Sequence, residues 1–267
     1  MNIKHAILVA LAMPCLLAAQ SNLSTSYPLN NASSIKLDFQ YGDLEIEKHS
    51  GNEIKLEANV LVNGMDGSQY FDLDSKRSGN TLELTARADF EGVDKRMTII
   101  MNDGSKIYKD GKNMTIEEVS DDEGVKNVYH GLDVDATFTL KIPENINLHA
   151  ETTFGSIMIK DYWQDMHIHS TYGSVDAVIK NPPSAPVMKI SSTYSEVDLM
   201  IPSSVNAALK MTTGFGRIYT DMNIEPEFNS KGKNRHHGQD IDAKLNSGKG
   251  SITLDATYSN IYLRKAL

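Results

Sequence analysis

The sequence predicts an all-β protein: a solenoid-like stack of short strands, of β-helix or β-roll type. Three observations predict it. A unit recurs four times between Ile146 and Asp221, each copy reads as two strands of period two around a turn, and equivalent columns carry the same residue types. The copies are INLHAETTFGSIMIKD, MHIHSTYGSVDAVIKN, VMKISSTYSEVDLMIP and AALKMTTGFGRIYTDM. Their aromatics are Phe154, Tyr172, Tyr194 and Phe215, so the steps are 18, 22 and 21 residues.

In the second copy Met166, Ile168 and Ser170 alternate with His167, His169 and Thr171, and after Tyr172-Gly173 the alternation resumes at Val175, Ala177 and Ile179. Successive side chains of a strand point to opposite faces, so each strand is half-buried. Two such strands cannot bury their apolar face alone, whereas stacked copies bury a continuous core. The sequence order of the copies predicts one interior column of Ile157, Val175, Val197 and Ile218. Gly155, Gly173 and Gly216 stand at the turn, with Ser195 in the odd copy. Glycine there implies positive φ or a close approach of backbone. An antiparallel sandwich of evenly spaced hairpins is the competing reading. The repeated order of residue types, beyond hydrophobicity alone, favours the stack.

From the N-terminus, Lys4 is followed by an apolar run from Ala6 to Ala19 and then by Gln20, Ser21 and Asn22. The run is too short to span a bilayer and reads as an export signal over residues 1–19. Loss of Lys4 takes the net charge from -9 to about -10. Cys15 is the single cysteine; Pro14 precedes it, a poor context for a lipid acceptor, so the mature chain is expected to have no disulfide. No second apolar run reaches membrane length. Residues 20–33 read as a polar leader and 34–267 as one domain. The chain is then expected in the periplasm, at the cell surface or secreted.

IKLDFQYGDLEIEK, from Ile35, is an early copy of the unit. EIKLEANVLV and NTLELTARAD follow as strands, with Asn63-Gly64 and Ser78-Gly79-Asn80 as turns. Residues 91–132 break the rhythm with three turn clusters and read as an insertion of hairpins, MTIIM and NMTIEEV being its strands. Residues 222–240 read as a loop excursion. The end of the chain, IDAKLNSGKGSITLDATYSNIYLRK, reads as single strands folded back to cap the stack, with Arg264-Lys265 at the charged end.

Catalytic motifs are missing from the sequence: there is no nucleophile elbow, phosphate loop, dinucleotide fingerprint or zinc-protease helix. Asp161, Asp176, Asp198 and Asp221 fall in or near second strands and read as water-facing positions of the alternation. His167 and His169 share a strand face about 7 Å apart. His149 lies near the matching offset of the preceding copy, but the register is imperfect and the set reads as a polar column. Arg235, His236 and His237, and the acidic run from Glu117 to Glu123, lack metal-ligand spacing. No cofactor or metal is expected. An acidic chain without a basic stripe is not expected to bind nucleic acid. The candidate binding surface is the ladder of Thr153, Thr171 and Thr193 beside Phe154, Tyr172, Tyr194 and Phe215.

The strand–[FY]-G-[SD]–strand unit, behind an export signal and a strand ending in Ile-Pro (TFTLKIPENINLHAETTFGSIMIKD), resembles the bacterial putative-adhesin family of exported β-solenoid domains. The resemblance is good over 134–221 and loose over 34–267. It implies a β-strand stack in the cell envelope, no established catalysis and a role in adhesion. The expected function is that of a non-enzymatic envelope protein in adhesion or scaffolding, with another envelope protein or a glycan as partner. The alternative is a carbohydrate-binding or carbohydrate-active protein on the same scaffold.

Overall fold

The computed structural model describes residues 23–110, 116, 120, 124–161, 164–226 and 237–266. The expected export signal and Cys15, the acidic residues Glu117, Glu118, Asp121, Asp122 and Glu123, and Arg235 and His236 lie outside them. The protein is all-β with several mixed sheets. Sheet one runs β1 (Leu23–Pro28), β4 (Glu53–Val62), β11 (Val134–Pro143), β3 (Asp43–His49), β13 (Ile157–Lys160), β15 (Val175–Val178), β17 (Val197–Ile201), β23 (Ile261–Lys265), β19 (Ile218–Thr220), with β5 (Met65–Asp66) on β4. Sheet two runs β20 (Glu225–Pro226), β21 (Asp240–Leu245), β18 (Ala207–Thr213), β22 (Gly250–Ala256), β16 (Val187–Ser192), β14 (Met166–Ser170), β12 (Asn147–Phe154), β2 (Ser34–Tyr41), β7 (Thr81–Ala88), β6 (Phe71–Ser78).

Each copy of the unit sends its first strand to sheet two and its second to sheet one. Neighbouring copies pair in parallel without slippage: Leu44, Ile157, Val175 and Val197 face one another in turn, as do Leu37, Ala150, Ile168 and Ile190. Every one of these is fully buried, and the buried apolar residues of both sheets form one core. Antiparallel pairs frame the parallel runs: β1 with β4, β4 with β11, β6 with β7, and β18 with β21.

The order of copies differs from the sequence expectation. Val197 faces Ile261, and Ile218 lies beyond it, also on Ile261. The C-terminal β22 and β23 are therefore a full copy, inserted between the third and fourth, and not strands folded back as a cap. The physical reason is burial. Ile252, Leu254, Ala256, Ile261 and Leu263 are closed on both sides, while Ile218 is half-buried and Tyr219 and Thr220 are exposed, as suits an edge. That edge is short, and the Ile218 amide donates to Gln239 Oε1 at 2.7 Å, which blunts it against further pairing. Arg264 is not a terminal charge either: it pairs with Asp198.

Two further expectations change. Residues 20–33, expected as a leader, contain β1, whose residues pair with β4 from Leu23 against Ala58 to Pro28 against Glu53. Leu23 and Tyr27 pack on the core, an alternation hidden among polar neighbours. Within the insertion, Ile116 is helical where the strand NMTIEEV is expected, as is Ser120 just beyond it. Other described residues of that stretch form a third sheet of β8 (Arg96–Met101), β9 (Lys106–Lys109) and β10 (Val125–Gly131), closed over Met97, Ile99 and Val128.

A polar latch fastens this small sheet to the body. Asp133 is buried, and its carboxylate accepts from Tyr129 Oη at 2.5 Å, Tyr108 Oη at 2.6 Å and Lys106 Nζ at 2.8 and 3.0 Å. Burial alone would raise the Asp133 carboxyl, but these three donors hold it below the usual carboxylate range. The same burial and the same carboxylate push the Tyr129 phenol up to about 12.

Candidate functional site

The turns between the two sheets stack as the strands do. One copy's aromatic therefore lies on the next copy's, and the rings form a column. Phe154 and Tyr172 are 5.0 Å apart and 3° from parallel, Tyr172 and Tyr194 are 4.8 Å and 5°, Tyr194 and Tyr258 are 5.0 Å and 5°, and Tyr258 and Phe215 are 5.2 Å and 8°. Tyr41 extends the column at one end and His237 at the other. The backbone enforces the spacing: the amides of Tyr172, Tyr194 and Tyr258 donate to the carbonyls of Thr153, Thr171 and Thr193 in the neighbouring copies, at 2.9–3.1 Å. The rings from Phe154 to Phe215 remain 44–59% exposed. Their faces cover one another, so the column offers solvent its ring edges and the tyrosine hydroxyls.

All four expected aromatics are in this column, but Phe215 stands beyond Tyr258 and not beside Tyr194. Tyr41, Tyr258 and His237 were missed as members. Tyr41-Gly42-Asp43 and Tyr258-Ser259-Asn260 carried the signal, since both occupy the turn of a copy. The expected hydroxyl ladder resolves into two columns. Thr153, Thr171 and Thr193, joined by Thr257, are half-buried beside the rings. The residues just before them, Thr152, Ser170, Ser192 and Ala256, are buried, and the two serines hold the corner. Ser170 Oγ donates to the Gly155 carbonyl at 2.8 Å and accepts from the Gly173 amide at 2.9 Å. Ser192 repeats the arrangement with Gly173 and Ser195.

Close approach, rather than positive φ, explains the turn glycines. A Cβ on Gly173 would stand 2.1 Å from the Gly155 carbonyl oxygen, and one on Gly155 would stand 2.0 Å from that of Gly42. No side chain fits at that distance.

The acidic residues of the second strands are partnered. Asp176 accepts from Ser174 Oγ at 2.7 Å, Asp198 binds the Arg264 guanidinium, Asp161 pairs with Lys48 at 3.3 Å, and Asp221 accepts the Lys265 amide at 2.8 Å. The histidine register also differs from the expected match: His149 faces His167, and Glu151 faces His169. The His149 and His167 rings stack 4.5 Å apart, while His149 Nε2 contacts Glu151 Oε1 at 2.9 Å and His169 Nδ1 contacts Ser191 Oγ at 2.9 Å. Stacked imidazoles direct their ring nitrogens side by side instead of at one point, so the pair does not converge on an ion. Burial, and then the neighbouring His149, push His167 below its ordinary value. Among the described residues no group of three or more His, Cys, Asp or Glu side chains could hold a metal ion, and no helix is long and apolar enough to cross a membrane.

No family model and no curated protein matches the sequence. Among solved structures, a putative cell adhesion protein from Clostridium sporogenes ATCC 15579 is similar, with a TM-score of 0.55 over 91% of this chain and 99% of that one, at 12% identity. At that identity the likeness is one of fold. A putative adhesin from Bacteroides fragilis NCTC 9343 is covered to 96% by 91% of this chain, at 9% identity and a TM-score of 0.22, too low to imply a common fold.

Proposed function

We propose that this is an exported, non-enzymatic protein of the cell envelope, with a role in adhesion or scaffolding. In this reading the parallel runs of the two sheets make a solenoid-like stack, and the aromatic column with its threonines is the contact surface. The observation that carries it is the exposure of five stacked rings from Phe154 to Phe215 in one stripe. Contiguous apolar surface of this kind marks interaction sites. Rings already held by stacking lose little freedom on contact, which favours them as anchors. The fold shared with a protein named for cell adhesion supports the same role. Its non-enzymatic character is supported by the displaced carboxyls. Asp38 is lowered mainly by hydrogen bonds from Arg87, Asp66 and Asp103 by hydrogen bonds from Ser68 and Ser105 in their own turns, and Asp133 is clamped in the latch; all four serve structure.

The test joins location to attachment. Cells expressing the chain are fractionated, and their attachment to host-matrix and bacterial surfaces is compared with that of a Phe154→Ser, Tyr172→Ser, Tyr194→Ser variant whose folding is verified by circular dichroism. The expected result is protein in the envelope or medium and at least tenfold weaker attachment by the variant. Protein retained in the cytosol, or attachment that ignores the ladder, would sink the reading.

A further inference from the structure

We infer that the outer face of sheet two carries a binding site for a linear, uncharged polysaccharide. The inference deepens the adhesion reading and rests on it for the protein's location. A trough of about 650 Å³ crosses β14, β16, β22, β18 and β21, which are consecutive in the sheet. Its length is four inter-strand steps, about 19 Å at roughly 4.8 Å each. This long, shallow shape suits a chain better than a compact molecule.

The lining repeats along the trough, because the strands pair in register. One column is Lys189, Thr253, Lys210 and Asp242; the next is Ser191, Asp255, Thr212 and Asp240. A linear polymer lying along the stack axis would meet one member of each column at every strand, and an extended pyranose chain advances by about one strand spacing per sugar. Donors and acceptors alternate in both columns, and a sugar hydroxyl both donates and accepts. The side chains of Lys189, Lys210 and Asp242 line the trough, and among the described residues none of the three has a hydrogen-bond or ion-pair partner. The charges are mixed: three carboxylates oppose a polyanion, and two ammonium groups oppose a polycation. Tyr194 and Tyr258 rise one residue beyond Thr193 and Thr257, along one long side. The site therefore selects a neutral, hydroxyl-rich polymer.

The probes are cellohexaose, xylohexaose and a linear β-1,3-glucan hexamer, with a heparin hexasaccharide and a polygalacturonate oligomer as charged comparators. Binding is measured by calorimetry and by amide shifts on the intact mature chain. At least one neutral hexamer should bind, shift the amides of Ser191, Thr253 and Thr212, and bind more tightly than its disaccharide, which reaches fewer strands. Lys189→Ala with Lys210→Ala, and Asp242→Ala separately, should each weaken binding tenfold or more. All three side chains are exposed, so the fold should be unaffected. The inference is overturned if no neutral hexamer binds, if only the charged comparators bind, or if the trough variants bind as the parent does. Cell attachment that persists when no neutral glycan binds overturns this inference and leaves the adhesion reading standing. Neutral-glycan binding by a protein found in the cytosol upholds the trough and defeats that reading.

Discussion

The Tyr258 ring stacks on Tyr194 at 5.0 Å, although the whole fourth copy lies between them in the chain. This contact records the order of copies in space. Its energy should be readable by a double-mutant cycle. Truncating Tyr194 and Tyr258 to Ala should show a coupling of about 0.5–1.5 kcal/mol, toward the lower end because both rings are half-exposed. Tyr194 with Phe215, which are separated by Tyr258, should be additive to within about 0.3 kcal/mol. Equal couplings in the two cycles would refute the order.

Gly173 tests the close approach of the corners. Gly173→Ala places a methyl 2.1 Å from a neighbouring backbone oxygen. Backbone on both sides must shift, so the loss should reach about 2 kcal/mol or more. The same change at Gly79, which has open space around it but a positive φ of 59°, should cost about 1 kcal/mol or less. Denaturant midpoints decide between them.

Val175 tests the register. It is fully buried between Ile157 and Val197. Val175→Asp buries a carboxylate without a partner and should destabilise by about 3 kcal/mol or more. Its neighbour Asp176 faces outward, and its carboxylate accepts from Ser174 Oγ. Asp176→Ala should change stability by about 0.5 kcal/mol at most. A slip of one residue exchanges the two faces, so the opposite pair of outcomes would overturn the pairing.

Asp133 predicts an acid-sensitive insertion. Its folded-state carboxyl is depressed, so its contribution is present above the ordinary carboxylate value near 4 and is lost as pH falls through the depressed value. The amide signals of β8, β9 and β10 should therefore broaden in acid before those of β12 to β17. Asp133→Asn should remove that pH dependence and cost about 2 kcal/mol at neutral pH, since it leaves Lys106 without its carboxylate partner. An insertion that melts together with the body at every pH would count against the latch.

His167 predicts a shallower effect near neutrality. Its lowered value means the unfolded chain binds the proton first, so stability falls as pH drops from about 6.5 toward the folded-state value. His167→Asn should flatten the stability profile between pH 7 and 5. An unchanged slope would indicate that the stacked imidazoles are not coupled to folding.

What the sequence determined is what repeats locally. Period-two alternation set which face of each strand is buried, and the recurrence of an aromatic followed by Gly or Ser set a ring and a tight corner at each level. Those readings needed only neighbouring residues. What the tertiary structure decided is the order in which the copies meet. Val197 accepts either Ile218 or Ile261 on local pattern alone; the choice falls to Ile261 because Leu263, Leu254 and Ala256 of the same copy are also buried there, while Tyr219 and Thr220 tolerate the open edge. The trough has the same origin. Lys189, Lys210 and Asp242 belong to three distant segments, and only the pairing of β16, β22, β18 and β21 lines them up. A non-local pairing is chosen by the summed burial of whole strands, a quantity that no single stretch of sequence contains.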